Sequence, residues 1–191
     1  MTLPEQFDSL IEPLIALQHL LDHFGERGVI IGGIATGFLG KPRFTVDLDA
    51  MFLASTKDIP HILGLAKVVG IEPRTDKVEE FAKKSRVLLM RHTASGVNID
   101  ISLGILSFEE EVVERSVAHK MKAVSVRLPT PEDLIIMKAI AHRPKDLEDI
   151  RTIVDNNPNL DIARIEKWVR DFAEVMETPD LWKQIEGILK R

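Results

Sequence analysis

The chain has 191 residues, 45% of them apolar and 29% charged, with a net charge of −5. That is the composition of a soluble globular protein, one domain or one domain with an appendage. The absence of cysteine excludes disulfide scaffolds, zinc–thiolate sites and cysteine nucleophiles. The acidic balance argues against the broad positive field of an indiscriminate nucleic-acid binder.

Thr2 and Glu5, three residues apart with Pro4 between them, predict a capped helix start. The same N-terminal stretch carries acidic residues and no basic segment, so it does not read as a secretory signal. No apolar run approaches the roughly 18 residues that span a bilayer, and the default expectation is a cytoplasmic protein with no membrane partner. Apolar residues then recur at spacings of three and four from Phe7 to Phe24, an amphipathic helix of about five turns ended by Gly25.

A short apolar strand is expected over Val29 to Ile31, a short helix over Ile34 to Leu39, and a strand over Asp47 to Leu53. A second amphipathic helix follows from Asp58 to Val69. After a charged stretch come two strands, Arg86 to His92 and Val97 to Leu103, around a Ser95-Gly96 hairpin turn. The basic residues Lys83, Lys84 and Arg86 read either as solvated surface or as a grip on a polynucleotide. A helix from Phe108 to Arg115 and a strand from Ala123 to Leu128 complete a region of about five strands. Beyond Pro129 only helices are expected: Pro131 to His142, Lys145 to Asp155, Asp161 to Val175 and Pro179 to Leu189. The expected organisation is an α/β core over residues 1–128 with a C-terminal helical region, 129–191, packed on it. Trp168 and Trp182 in that tail read as core residues.

Two oddities mark the stretch VIIGGIATGFLGKPRFTVDLDAMFL. Asp47 and Asp49 interrupt an apolar strand, and residues two apart share a strand face. Like charges about 6–7 Å apart repel by about 2–3 kcal/mol at an effective dielectric near 20. A cation between them would offset this, and Mg²⁺ prefers carboxylate oxygens. VNIDIS supplies a third acid, Asp100, in a neighbouring strand, and three acids would suit a two-metal site. The plainer alternative is that Asp47 caps a turn while Asp49 and Asp100 lie on a solvated face. The second oddity is Gly32-Gly33, which ends one strand and opens a helix. Missing side chains and free N–H groups there suit a phosphate cradle, or simply a tight turn. The spacing is neither a Walker A loop nor a dinucleotide fingerprint.

Taken together, Gly32-Gly33-Ile34-Ala35, Gly40, Arg43, Thr45 and Asp47-Leu48-Asp49 resemble the signature of the polymerase-beta-type nucleotidyltransferase superfamily. The branch they resemble most is the AbiEii-like group, many of whose members are toxins of toxin–antitoxin pairs. TPEDLIIMKAIAHRPKDLEDIRTIV, Thr130 to Val154, resembles that group's downstream helical block. The resemblance implies an α+β fold: a mixed sheet of about five strands flanked by helices, with a C-terminal helical appendage. It implies two Mg²⁺ ions (or Mn²⁺) and transfer of a nucleoside monophosphate from an NTP to an acceptor hydroxyl on RNA such as tRNA, on a protein or on a small alcohol. An antitoxin partner is also implied. By position, Asp47, Asp49 and Asp100 would bind metal, with Asp100 the candidate base. Gly32 and Gly33 would hold the triphosphate, assisted by Arg43 and Thr45. Lys138 would be catalytic, and Lys145, Asp146 and Asp149 would contact the nucleotide. The residues alone leave plainer roles open: an ion pair from Arg43 to Asp47, and an i,i+4 pair from Lys145 to Asp149. Two rival functions follow from the same residues, a silent nucleotide-binding regulator and a metal-dependent phosphohydrolase.

Overall fold

The computed structural model describes residues 5–121 and 124–190, so the cap expected at Thr2 and Pro4, and Ala123, lie outside the described residues. The chain divides into two compact units, Met1–Ile34 with Phe44–Leu128, and Ala35–Arg43 with Pro129–Arg191.

The first unit opens differently from the expectation of one long helix. A 3-10 segment, Glu5–Leu10, precedes α1, Ile11–His23. Pro13 explains the break: it lacks an N–H, and an α-helix tolerates proline only in its first turn, which is where α1 places it. Gly25 then adopts φ 78° and ends the helix, as its position predicted. Next come β1 (Gly28–Ile31), α2 (Gly32–Leu39), which begins in this unit, and β2 (Leu48–Leu53). α3 (Ile59–Val68) follows, then β3 (Ile71–Pro73) and α4 (Val78–Ser85). β4 (Val87–His92), β5 (Asn98–Gly104) and α5 (Ser107–Arg115) come after them. β6 (Val117–Met121) and β7 (Val124–Leu128) close the unit.

The main sheet has five strands in the order β1-β2-β5-β4-β3, with β2 and β5 parallel and the other pairs antiparallel. It is the mixed sheet flanked by helices that was expected, with one exchange of membership. The strand expected from Ala123 pairs with β6 in a separate two-stranded ribbon, and β3 takes the fifth place instead. β3 and α4 both lie in the stretch read only as charged. Pro73 suits β3 because this strand is at the sheet edge, where a missing donor costs no ladder bond. α4 buries just Val78 and Ala82 and covers its outer face with Glu79–Lys83 and Glu80–Lys84 pairs. Those pairs also consume the basic cluster, and Arg86 donates to the carbonyls of Leu103 and Ala54. Lys83 and Lys84 thus stay on a solvated face, and only Arg86 is built into the fold.

Alternation along the strands separates the two faces of the sheet. Leu48, Ala50, Phe52, Leu88, Ile99 and Ile101 are fully buried. Each of the larger side chains among them contributes about 1.5–3 kcal/mol. Phe52 also stacks on Phe24 at 5.4 Å between ring centroids. Asp49, Leu89 and Asp100 point the other way and are half-buried.

In the second unit the end of α2 joins α6 (Pro131–Ala141), α7 (Pro144–Asn156), α8 (Ile162–Val175) and α9 (Leu181–Leu189). Thr130 caps α6 by accepting from the Asp133 N–H, and Asp133, fully buried, accepts from Arg164 Nε of α8 at 2.8 Å. Asn157 Nδ2 donates to the Leu39 carbonyl at 2.8 Å. A Cβ at Gly40 would meet Thr152 Oγ1 at 2.6 Å, so a side chain there would crowd α7. Trp182 is buried as expected, whereas Trp168 is half-buried beneath the Lys167 ammonium. Among the described residues, no helix is long and apolar enough to cross a membrane.

Candidate functional site

The residues singled out in the sequence fall into two groups, one in each unit. The first group gathers on the half-buried face of the sheet. Ile31 is the cross-strand partner of Asp49, and Asp49 is the partner of Asp100 across the parallel β2–β5 pair. Partners in adjacent strands stand about 4.8 Å apart and point to the same face. The two acids are therefore side by side through register, far apart as they are in sequence. Asp47 lies one residue ahead of β2 rather than within it. Its negative charge nonetheless reaches Asp100. Burial pushes the Asp100 carboxyl above its ordinary value; the negative charge of Asp47 adds to this, and the guanidinium of Arg74 opposes it.

Arg74 was not visible as a site residue in the sequence. It follows β3, and its main-chain N–H donates to the Leu89 carbonyl at 2.9 Å. Leu89 is in turn the partner of Asp100. The Arg74 side chain thus reaches across β4 and places Nη2 on Asp100 Oδ1. No local pattern could have announced this, since it depends on the order of three strands.

Both glycines are explained by their neighbours. Gly32 opens α2 at φ +62°, and a Cβ there would meet Asp49 Oδ2 at 1.9 Å and Asp49 Cβ at 2.8 Å. At Gly33 a Cβ would meet Thr45 Oγ1 at 2.6 Å. The space freed by the missing side chains thus receives the Asp49 carboxylate and the Thr45 side chain. A carboxylate at a helix N-terminus is electrostatically favoured. Thr45 Oγ1 itself donates to the Asp47 carbonyl at 3.2 Å and so braces the chain just before β2.

The second group is an ion-pair network inside the helical unit. Lys138 is buried and sends Nζ to Asp149 Oδ2 at 2.6 Å, with Asp146 Oδ1 at 3.6 Å. Arg43 holds both oxygens of Asp149, at 2.9 and 3.1 Å. Arg143 holds both oxygens of Asp146, at 2.6 and 3.1 Å. Asp149 therefore pairs with Arg43 and Lys138. Lys145 is exposed at the start of α7. Burial acts to raise the Asp146 carboxyl, but the Arg143 hydrogen bond and the charges of Lys138 and Arg143 outweigh it and leave it below the ordinary value. Arg143 is the member of this network that sequence reasoning missed; its place before Pro144 gave it the appearance of a helix-end cation.

A model of the family described as nucleotidyltransferase of unknown function (DUF6036) matches residues 6–181. The chain belongs to this family. No curated protein matches it. Among solved structures it is similar to an antigenic nucleotidyltransferase-like protein from Paracoccidioides brasiliensis, with 16% identity, a TM-score of 0.55 and coverage of 94% of this chain and 93% of that one. It is also similar to a candidate nucleotidyltransferase from H. pylori, with 17% identity, a TM-score of 0.53 and coverage of 98% and 96%. At these identities the likeness concerns the fold, and it agrees with the nucleotidyltransferase fold of the DUF6036 family.

The carboxylates of the first group fit a hard divalent cation in chemistry: oxygen donors, one face, and mutual repulsion that a cation relieves. They do not stand as a finished cage. Among the described residues, no three acidic or imidazole side chains form a group that could hold a metal ion. Arg74 supplies the positive charge at Asp100 instead.

Proposed function

We propose that this DUF6036 protein is a Mg²⁺-dependent nucleotidyltransferase that moves a nucleoside monophosphate from an NTP to an acceptor hydroxyl. The observation that carries the reading is the register of β2 on β5, which sets Asp49 beside Asp100, with the charge of Asp47 felt at Asp100. Asp47, Asp49 and Asp100 would hold the metal, Mn²⁺ serving in its place. When bound, the metal neutralises triphosphate charge and the charge that develops on the leaving oxygen. The N–H groups at the start of α2, around Gly32 and Gly33, would bind phosphate oxygens beside Asp49.

In the reaction the acceptor oxygen forms a bond to the α-phosphorus as the bond to pyrophosphate breaks. The hydroxyl proton would pass to the Asp100 carboxylate as the acceptor oxygen attacks. Thr45 would keep Asp47 in place through its main-chain carbonyl. We assign Lys138, Asp146, Asp149 and Arg43 to holding the helical unit, because their charges are consumed by one another. Lys145, whose side chain is at the surface, keeps the role of an anion contact.

The test is incubation of the protein with each α-labelled NTP, Mg²⁺ and total RNA or lysate, alongside Asp47→Ala/Asp49→Ala. Label should move to RNA, protein or a small alcohol with the wild type alone, and its destination identifies the acceptor. Labelled monophosphate without a labelled acceptor would favour a phosphohydrolase, and NTP binding without turnover a regulatory protein. Equal labelling by the variant would remove the site assignment. The toxin role belongs to the same proposal, and growth arrest on expression that Asp47→Ala/Asp49→Ala relieves is its test.

A further inference from the structure

We infer that Arg74 is an exchangeable counter-ion of the active site, holding Asp100 until a divalent cation takes that carboxylate and then passing its guanidinium to the triphosphate. This rests on the nucleotidyltransferase reading of the same site.

Two other arginines of this protein hold their carboxylates by a fuller contact. Arg43 grips both oxygens of buried Asp149, and Arg143 grips both oxygens of buried Asp146. That two-pronged geometry uses the planar fork fully. Arg74 makes a different contact. One nitrogen, Nη2, meets one oxygen of Asp100, while the buried Nε–H has no hydrogen-bond partner among the described residues. That buried donor is a hydrogen bond left unmade, which a second position of the guanidinium would supply.

Exposure points the same way. The Asp100 side chain is 39% exposed, against 5% for Asp149 and 1% for Asp146. Ions and solvent can therefore compete for the pair. The root of Arg74 is fixed by its main-chain bond to Leu89, so the side chain swings about a set point at the β3 end of the row. Asp49 and the start of α2 close that row on its far side. A triphosphate lying along the row would offer the guanidinium several charged oxygens, a match to its fork that a single carboxylate oxygen does not provide.

Exchange has a signature that a structural role lacks: the two binding affinities move in opposite directions. Without nucleotide, Arg74 competes with the metal for Asp100, so Arg74→Ala should bind Mn²⁺ roughly threefold more tightly, read from the free-ion electron paramagnetic resonance signal. With Mn²⁺ present, the same variant should bind the α,β-methylene analogue of the preferred NTP about tenfold more weakly by calorimetry, having lost a charge-assisted phosphate contact. Arg74→Lys keeps a cation without the fork and should fall between the two. If Arg74→Ala weakens both affinities together, or moves neither, the exchange is wrong and Arg74 is a structural tie. If Arg74→Ala fails to fold, Arg74→Lys with no opposed shift is equally decisive against it. A wild type that binds no NTP analogue with Mn²⁺, and binds Mn²⁺ no better than Asp47→Ala/Asp49→Ala, overturns the underlying reading as well. Intact wild-type binding with an unmoved Arg74→Ala overturns Arg74 alone.

Discussion

Gly32→Ala brings two separate costs together at one position of the site. The first is backbone strain: at φ +62° an alanine is in the left-handed region, a penalty of about 1–2 kcal/mol. The second is collision. The new Cβ would stand 1.9 Å from Asp49 Oδ2, 2.6 Å from Cγ and 2.8 Å from Cβ. Rotating the Asp49 side chain relieves the oxygen but not its Cβ, which moves only with β2. Overpacking of this kind costs about 1–3 kcal/mol. Gly25→Ala isolates the first cost, because Gly25 is at φ +78° and an added methyl group there would meet nothing within 4 Å. In thermal melts, where 1 kcal/mol corresponds to about 2–4 °C at this chain length, Gly25→Ala should lower Tm by about 2–8 °C. Gly32→Ala should lower it by a further amount of about the same size. In an Asp49→Gly background no Asp49 side chain remains to collide, and Gly32→Ala should then cost no more than Gly25→Ala. If Gly32→Ala costs the same with and without the Asp49 side chain, the glycine is not there to admit the carboxylate, and the reasoning fails.

Other outcomes follow from the helical unit. Lys138→Met removes one cation from the buried network, but Asp149 keeps Arg43 and Asp146 keeps Arg143. The cost should therefore be at the lower end of the buried-pair range, about 3 kcal/mol or about 6–12 °C in a thermal melt. Lys145→Ala, at an exposed position, should leave Tm within about 1 °C and act only on NTP affinity, measured by calorimetry. Asp146 has a folded-state value below its unfolded one, so its stabilisation is present above the ordinary carboxylate range and is lost as pH falls through the folded value. In melts taken from neutral pH downward, the gap between wild type and Asp146→Asn should narrow through that window; a constant gap would refute the assignment.

Much of the fold was legible because burial leaves periodic marks. α1, α3 and α6 to α9 were readable from their spacing, and β4 and β5 from alternation around Gly96, which adopts φ 73° in the turn. The misses have physical causes. α4 is two buried residues under a coat of charge, and β6 has one fully buried residue, Met121, so neither carries enough apolar signal. The 3-10 start before α1 was hidden because Pro13 interrupts hydrogen bonding without interrupting apolar spacing. In the site, Asp47, Asp49 and Asp100 stood out because acids are out of place beside β-branched strand residues. Arg74 did not, because an arginine after an edge strand is ordinary until register carries it to Asp100. Lys138, Asp146 and Asp149 were visible as a block, but their partner Arg43 is 106 positions from Asp149. Only the fold could show that their charges answer one another.

The division of the chain has a consequence for its ancestry and its engineering. The short run Ala35–Arg43 belongs with the C-terminal helices while the sequence on both sides of it belongs with the sheet. A frame that stopped after Leu128 would still encode Leu39, Gly40 and Arg43, but not Asn157, Thr152 and Asp149, against which they are fitted. The helical tail is therefore not a cassette that gene fusion can add or exchange at one junction. A transplant has to carry the loop ahead of Thr45 along with everything beyond Pro129, so the two units are inherited as one piece of text.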